Sequence, residues 1–116
     1  MSATPAATPL TDSEYHRLAA ALLAAVEAAA DRWLQDDVID IDTQRTGGLL
    51  ELSFPGGRKI VVNTQPPLHE IWLAARQGYH FHHAGGAWFD REGREFFDVL
   101  SQCASEYAGR PLRFEA

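Results

Sequence analysis

The chain has 116 residues, 46% hydrophobic and 22% charged, which fits one compact domain and excludes a multidomain architecture. Its single cysteine, Cys103, excludes an internal disulfide, and no Cys/His spacing supplies a closed four-ligand zinc site. The longest apolar stretch, Leu18 to Val26, falls well short of the roughly 20 residues of a membrane-crossing helix, and the first ten residues lack the basic and apolar parts of a secretory signal, so a cytoplasmic protein is expected.

Residues 1–10 are mostly Ala, Thr and Pro, have little to bury, and are expected to form a disordered leader before a single domain over 11–116. Thr11 with Glu14 three residues on spells a capping box, and the acids Asp12 and Glu14 suit the positive end of a helix dipole. Tyr15, Leu18, Leu22, Val26, Ala29 and Trp33 then recur every three to four residues, predicting a core-facing helix to about Leu34. Glu27 and Asp31 lie off that stripe, four residues apart on a solvent face. After Asp36 the period changes to two: Ile39 and Ile41 alternate with Asp40 and Asp42, predicting a half-buried first strand whose acids point outward.

Gly47-Gly48 predicts a turn, and Leu50, Leu52 and Phe54 alternate with Glu51 and Ser53. Pro55-Gly56-Gly57 turns the chain again into Arg58 to Gln65. Pro66-Pro67 interrupts the ladder before Ile71 to Ala75, Gly78 precedes Tyr79 to His82, and Gly85-Gly86 sets off Ala87 to Phe89. A closing helix from about Arg94 to Ala108 aligns Phe96, Leu100, Cys103 and Tyr107, and Gly109 and Pro111 stop it. The expected fold class is α+β, a two-layer sandwich with two helices on one face of an antiparallel sheet of five to six strands. Its other face is open for binding.

The formal charge of −6 is concentrated. Between Thr11 and Asp42, eight carboxylates meet only Arg17 and Arg32, whereas the rest of the chain is balanced. Glu27, Asp31, Asp36, Asp37, Asp40 and Asp42 are the metal candidates on this ridge. Carboxylate oxygens are hard ligands that suit iron and other divalent cations, and a surface row of them binds weakly and with little selectivity. Read from charge alone, such a run is ordinarily a solvated face. A basic protein surface fits it, while phosphate recognition needs a concentrated basic patch that the chain lacks, so neither nucleic acid nor a membrane is an expected partner.

His80 and His82 share one strand face, but two imidazoles are too few for a closed metal site, and His82 and His83 read as ordinary strand-end residues. His69-Glu70 superficially matches a zinc-protease motif, which fails because position 73 is Leu73. Trp72 alternates with Ile71 and Leu73, so it points away from the helices, where a large ring anchors interfaces unless neighbouring side chains shield it. Trp33 and Trp88 read as packing residues. Cys103 lies on the apolar stripe with nothing to activate it, and no catalytic constellation is present.

Three motifs together resemble the frataxin family over Thr11 to about Gly109. They are Asp12-Ser13-Glu14-Tyr15-His16-Arg17-Leu18, the acidic run into Gly47-Gly48, and Asn63-Thr64-Gln65-Pro66-Pro67-Leu68-His69-Glu70-Ile71-Trp72-Leu73-Ala74. The resemblance implies a non-catalytic, iron-binding protein that engages the cysteine desulfurase and the scaffold of iron-sulfur cluster assembly and regulates their output. It implies ferrous or ferric iron held weakly on the six ridge carboxylates. It also implies partner contacts at Glu27, Asp31, Asp40 and Asp42 and, on the sheet face, at Asn63, Gln65 and Trp72. A monomer is expected, with an iron-driven oligomer as the alternative. Two other functions stay open: a ferroxidase or iron store, and a purely protein-binding regulator of the desulfurase. Ala28, Arg32 and Val38 stand where other members carry carboxylates, Leu34-Gln35 resembles a short insertion, and Gly78 stands alone where two glycines are common.

Overall fold

The computed structural model describes residues 6–116; positions 1–5 of the expected leader lie outside the described residues. The first helix, α1, spans Asp12–Gln35 and opens on the box read from the sequence. Thr11 Oγ1 accepts the Glu14 N–H at 3.1 Å, and Glu14 Oε1 accepts the Thr11 N–H at 2.9 Å. Both bonds use groups that a helix start leaves unpaired.

Six strands follow: β1 (Asp42–Thr46), β2 (Leu49–Ser53), β3 (Lys59–Gln65), β4 (Glu70–Ala74), β5 (Gly78–Ala84) and β6 (Ala87–Phe89). A single 3₁₀ turn, Pro66–Leu68, joins β3 to β4, and α2 (Phe96–Ala108) closes the order. Spatial order equals chain order and every pairing is antiparallel, so the sheet is an uninterrupted meander. Its first hairpin depends on glycine twice. Gly47 takes φ 59°, a left-handed conformation disfavoured for other residues, and a Cβ at Gly48 would collide with the Thr64 side chain.

Alternation places Leu50, Leu52, Ile60, Val62, Ile71, Leu73 and Phe81 on the helix-facing side, all buried. Against them pack Tyr15, Leu22, Leu23 and Val26 from α1, and Phe96, Val99 and Leu100 from α2. Each such side chain contributes about 1.5–3 kcal/mol on leaving water. Tyr15 also ties α1 to the sheet: its hydroxyl donates to the Glu70 carbonyl at 2.6 Å and accepts the Gln65 N–H at 3.0 Å.

Two segments differ from expectation. The predicted strand through Ile39 to Asp42 is an irregular lead-in, and β1 begins only at Asp42. The N–H groups of Val38 and Ile39 both turn back to the Trp33 carbonyl, at 2.8 and 3.4 Å, and Arg110 Nη1 donates to the Val38 carbonyl at 2.6 Å. Groups spent on the helix end cannot join a ladder, although Ile41 is buried as its pattern implied. The second difference is the end of the leader, which is seated on the domain. The Thr8 N–H donates to the His83 carbonyl at 2.7 Å, Thr8 Oγ1 accepts the Gly85 N–H at 3.1 Å, and Leu10 packs on the core. The C-terminal tail, for which the sequence sets no element, completes that core: Leu112 and Phe114 are buried, and their N–H groups donate to Ser105 Oγ and Ser101 Oγ, each at 2.9 Å.

Candidate functional site: an acidic ridge beside an open sheet face

The ridge runs from the outer flank of α1 through the turn that follows it to the start of β1. Glu27 is half-buried, because Arg45 reaches up from β1 and donates through Nη1 to its Oε1 at 3.0 Å. Asp31, one turn further along α1, is exposed. Asp36 caps α1, and Asp37 adopts a left-handed backbone (φ 55°), which Asp tolerates better than most residues. Asp40 is exposed in the lead-in, and Asp42 is exposed at the first position of β1. Asp42 pairs with Ser53, so strand alternation puts it on the open side of the sheet, while Arg45 shares the helix side with Leu50.

Of the six candidates, Asp31, Asp36, Asp37, Asp40 and Asp42 are exposed, and Glu27 is the one member ion-paired among the described residues. They do not converge: among the described residues, no three His, Cys, Asp or Glu side chains are arranged to close around one ion. Separate carboxylates hold a cation through its own water shell, so their attraction is mainly electrostatic.

On the open face, the register aligns Leu49, Asn63, Trp72 and His80 across β2 to β5 in one row. Gln65, Glu70 and His82 form the next row. Trp72 faces outward as expected, yet it is half-buried: the His80 ring stacks on it with centroids 4.0 Å apart at 7°, and its Nε1 donates to Glu70 Oε1 at 2.8 Å. Asn63 and Gln65 are half-buried beside it. The roles of His80, Glu70 and Arg45 in this arrangement escaped sequence reasoning: cross-strand register brings His80 to Trp72, shared strand facing brings Glu70, two residues away, to the same ring, and docking of α1 on the sheet brings Arg45 to Glu27.

The stack separates two clefts. One, of about 190 Å³, is lined by Leu49, Val61, Trp72 and Ala74. The other, of about 460 Å³, is lined by Glu70, His82, Asp90, Glu92 and Arg94, among others. Burial pushes the Asp90 carboxyl up. The Arg94 backbone N–H and guanidinium, with the Glu92 N–H, outweigh that effect and hold it below the ordinary carboxylate value. Its Oδ1 accepts the Glu92 and Arg94 N–H groups at 3.0 and 2.9 Å, and Oδ2 accepts Arg94 Nε at 2.8 Å.

The remaining chemistry-bearing side chains lie apart from both surfaces. His83 points inward, burial lowers its pKa, and its Nδ1 has no hydrogen-bond partner among the described residues. Burial raises the Cys103 thiol, which leaves it a poor nucleophile.

Comparison with known proteins agrees with this architecture. The family model described as "Frataxin-like domain" matches residues 8–110. The iron-sulfur cluster assembly protein CyaY of Variovorax paradoxus (strain S110) is 51% identical over 109 residues, covering 92% of this chain and 99% of that protein. The protein of the same name from Polaromonas sp. (strain JS666 / ATCC BAA-500) is 47% identical over 109 residues, covering 92% and 94%. Among solved structures, frataxin from Psychromonas ingrahamii superposes with a TM-score of 0.80 at 32% identity, over 92% of this chain and all of that one. The trimeric frataxin of Saccharomyces cerevisiae has a TM-score of 0.59 at 24% identity, covering 91% and 86%, and shares the fold. With that match across most of its length, the chain belongs to the frataxin-like family.

Proposed function

We propose that this protein serves iron-sulfur cluster assembly as a cytoplasmic binding protein and regulator, not as an enzyme. In this reading Glu27, Asp31, Asp36, Asp37, Asp40 and Asp42 attract ferrous or ferric iron as cargo, weakly enough to release it. The same ridge docks a basic surface of the cysteine desulfurase. Asn63, Gln65 and Trp72 meet neighbouring components such as the scaffold. The relatives' names supply the process. The reading is supported by one observation: five of the six carboxylates are exposed, and only Glu27 is ion-paired among the described residues.

The lack of a converging three-ligand set among the described residues favours a second reading, in which the ridge recognises the desulfurase without carrying metal. Asp31→Lys combined with Asp40→Lys tests both, because the two side chains are exposed and their replacement leaves the Glu27–Arg45 pair intact. The double variant is expected to bind desulfurase at least tenfold more weakly at low salt, with the loss shrinking as salt rises. Unchanged affinity refutes the docking role. An anaerobic ferrous titration followed by amide NMR separates the readings. Perturbation first at Asp31 and residues 36–42 supports iron uptake, and shifts confined to His80 and His82 exclude it.

A further inference from the structure

β1 ends the sheet, pairing with β2 on one side and, among the described residues, with no strand on the other. Hydrogen-bond parity shows which of its backbone groups face outward. The Thr64 N–H donates to the Gly48 carbonyl at 2.8 Å, and the Phe54 N–H to the Arg58 carbonyl at 2.8 Å, so even-numbered residues at both ends of β2 bond toward β3. Leu49, Glu51 and Ser53 consequently bond toward β1, where they oppose Thr46, Gln44 and Asp42. The N–H and C=O groups of Thr43 and Arg45 are left directed off the sheet edge.

The side chains around that edge are mostly acidic, although Arg110 reaches the lead-in through its bond to the Val38 carbonyl. Asp42 starts the strand, Asp40 precedes it, and Glu27 and Asp31 lie along α1, the helix tied to β1 by the Glu27–Arg45 pair. Arg45 is the base within the strand, and its charge is spent on Glu27. Two copies meeting edge to edge would bring like charges together, which disfavours self-pairing, whereas a basic strand meets complementary charge on both faces. We infer that β1 accepts an extended, Lys/Arg-bearing segment of a partner protein as a seventh strand, hydrogen-bonded to Thr43 and Arg45. Basic side chains on its helix side lie toward Asp31, and those on its open side lie toward Asp42. The inference rests on the docking reading of the ridge and adds to it a main-chain mode of recognition.

The test uses the full chain and a nine-residue peptide of repeating Lys-Lys-Thr, which puts basic side chains on both faces of a strand. Its control is the same peptide N-methylated at two adjacent central residues, which preserves charge and blocks both peptide edges. At saturating peptide, amide exchange at Thr43 and Arg45 should slow at least tenfold with Gln44 unchanged, and the methylated peptide should bind at least tenfold more weakly. Equal binding of the two peptides, or unaltered exchange at Thr43 and Arg45, overturns strand addition. If that equal binding is salt-sensitive and lost in the Asp31→Lys/Asp40→Lys variant, the ridge reading survives alone. Failure of both peptides to bind at low salt removes both. Protection of Thr43 and Arg45 that grows with protein concentration, without peptide, identifies a second copy as the occupant and overturns the inference.

Discussion

Asp90 shows how a buried charge is retained in this protein. Its two oxygens receive two backbone N–H groups and one guanidinium N–H, which offset the cost of removing a carboxylate from water. Arg94 is held in turn, with its guanidinium over the Tyr79 ring at 5.2 Å from the centroid. The depressed native pKa fixes the sign of the pH dependence. On acidification the unfolded chain protonates first, so this group's stabilisation is complete above about pH 4 and fades as pH falls toward the native value. Asp90→Asn keeps one acceptor and loses the charged one. It should cost about 1.5–3 kcal/mol at neutral pH and flatten the acid limb of stability measured by urea unfolding between about pH 3 and 5. An unchanged acid limb would mean that other carboxylates dominate it.

At the scale of elements, α1 and the first hairpin carry the most local information. Thr11 closes a reciprocal cap, so Thr11→Ala should cost about 1 kcal/mol, read as a lower thermal midpoint with the native NMR spectrum retained. The same stretch shows where periodicity misleads. Ile39-Asp40-Ile41-Asp42 alternates as a strand does, and the alternation correctly buries Ile41, but the backbone of Val38 and Ile39 is claimed by the end of α1 and the Val38 carbonyl by Arg110. Side-chain patterns report which residues are buried. Ladder membership depends on hydrogen-bond partners, and one of these lies 72 residues away in sequence.

For the molecule as a whole, the ridge and the open face are two surfaces of one sheet-and-helix sandwich that join at Asp42. Trp72 belongs to the second. It is held flat by His80 and Glu70 and is not inserted into the core, so Trp72→Arg should lower stability by no more than about 1 kcal/mol and, on the proposed function, weaken scaffold binding at least tenfold. A collapse of the fold in thermal melts would show that the ring is structural. Element order, the capping box, the turn positions and the outward placement of Trp72 could all be read from the chain alone. Each is written in residues within a few positions of one another, through period, cap and turn chemistry. The Glu27–Arg45 pair, the Trp72–His80 stack, the seating of Thr8 and the burial of Leu112 and Phe114 required the folded molecule. They join residues distant in sequence, and strand register and helix docking settle which of them meet.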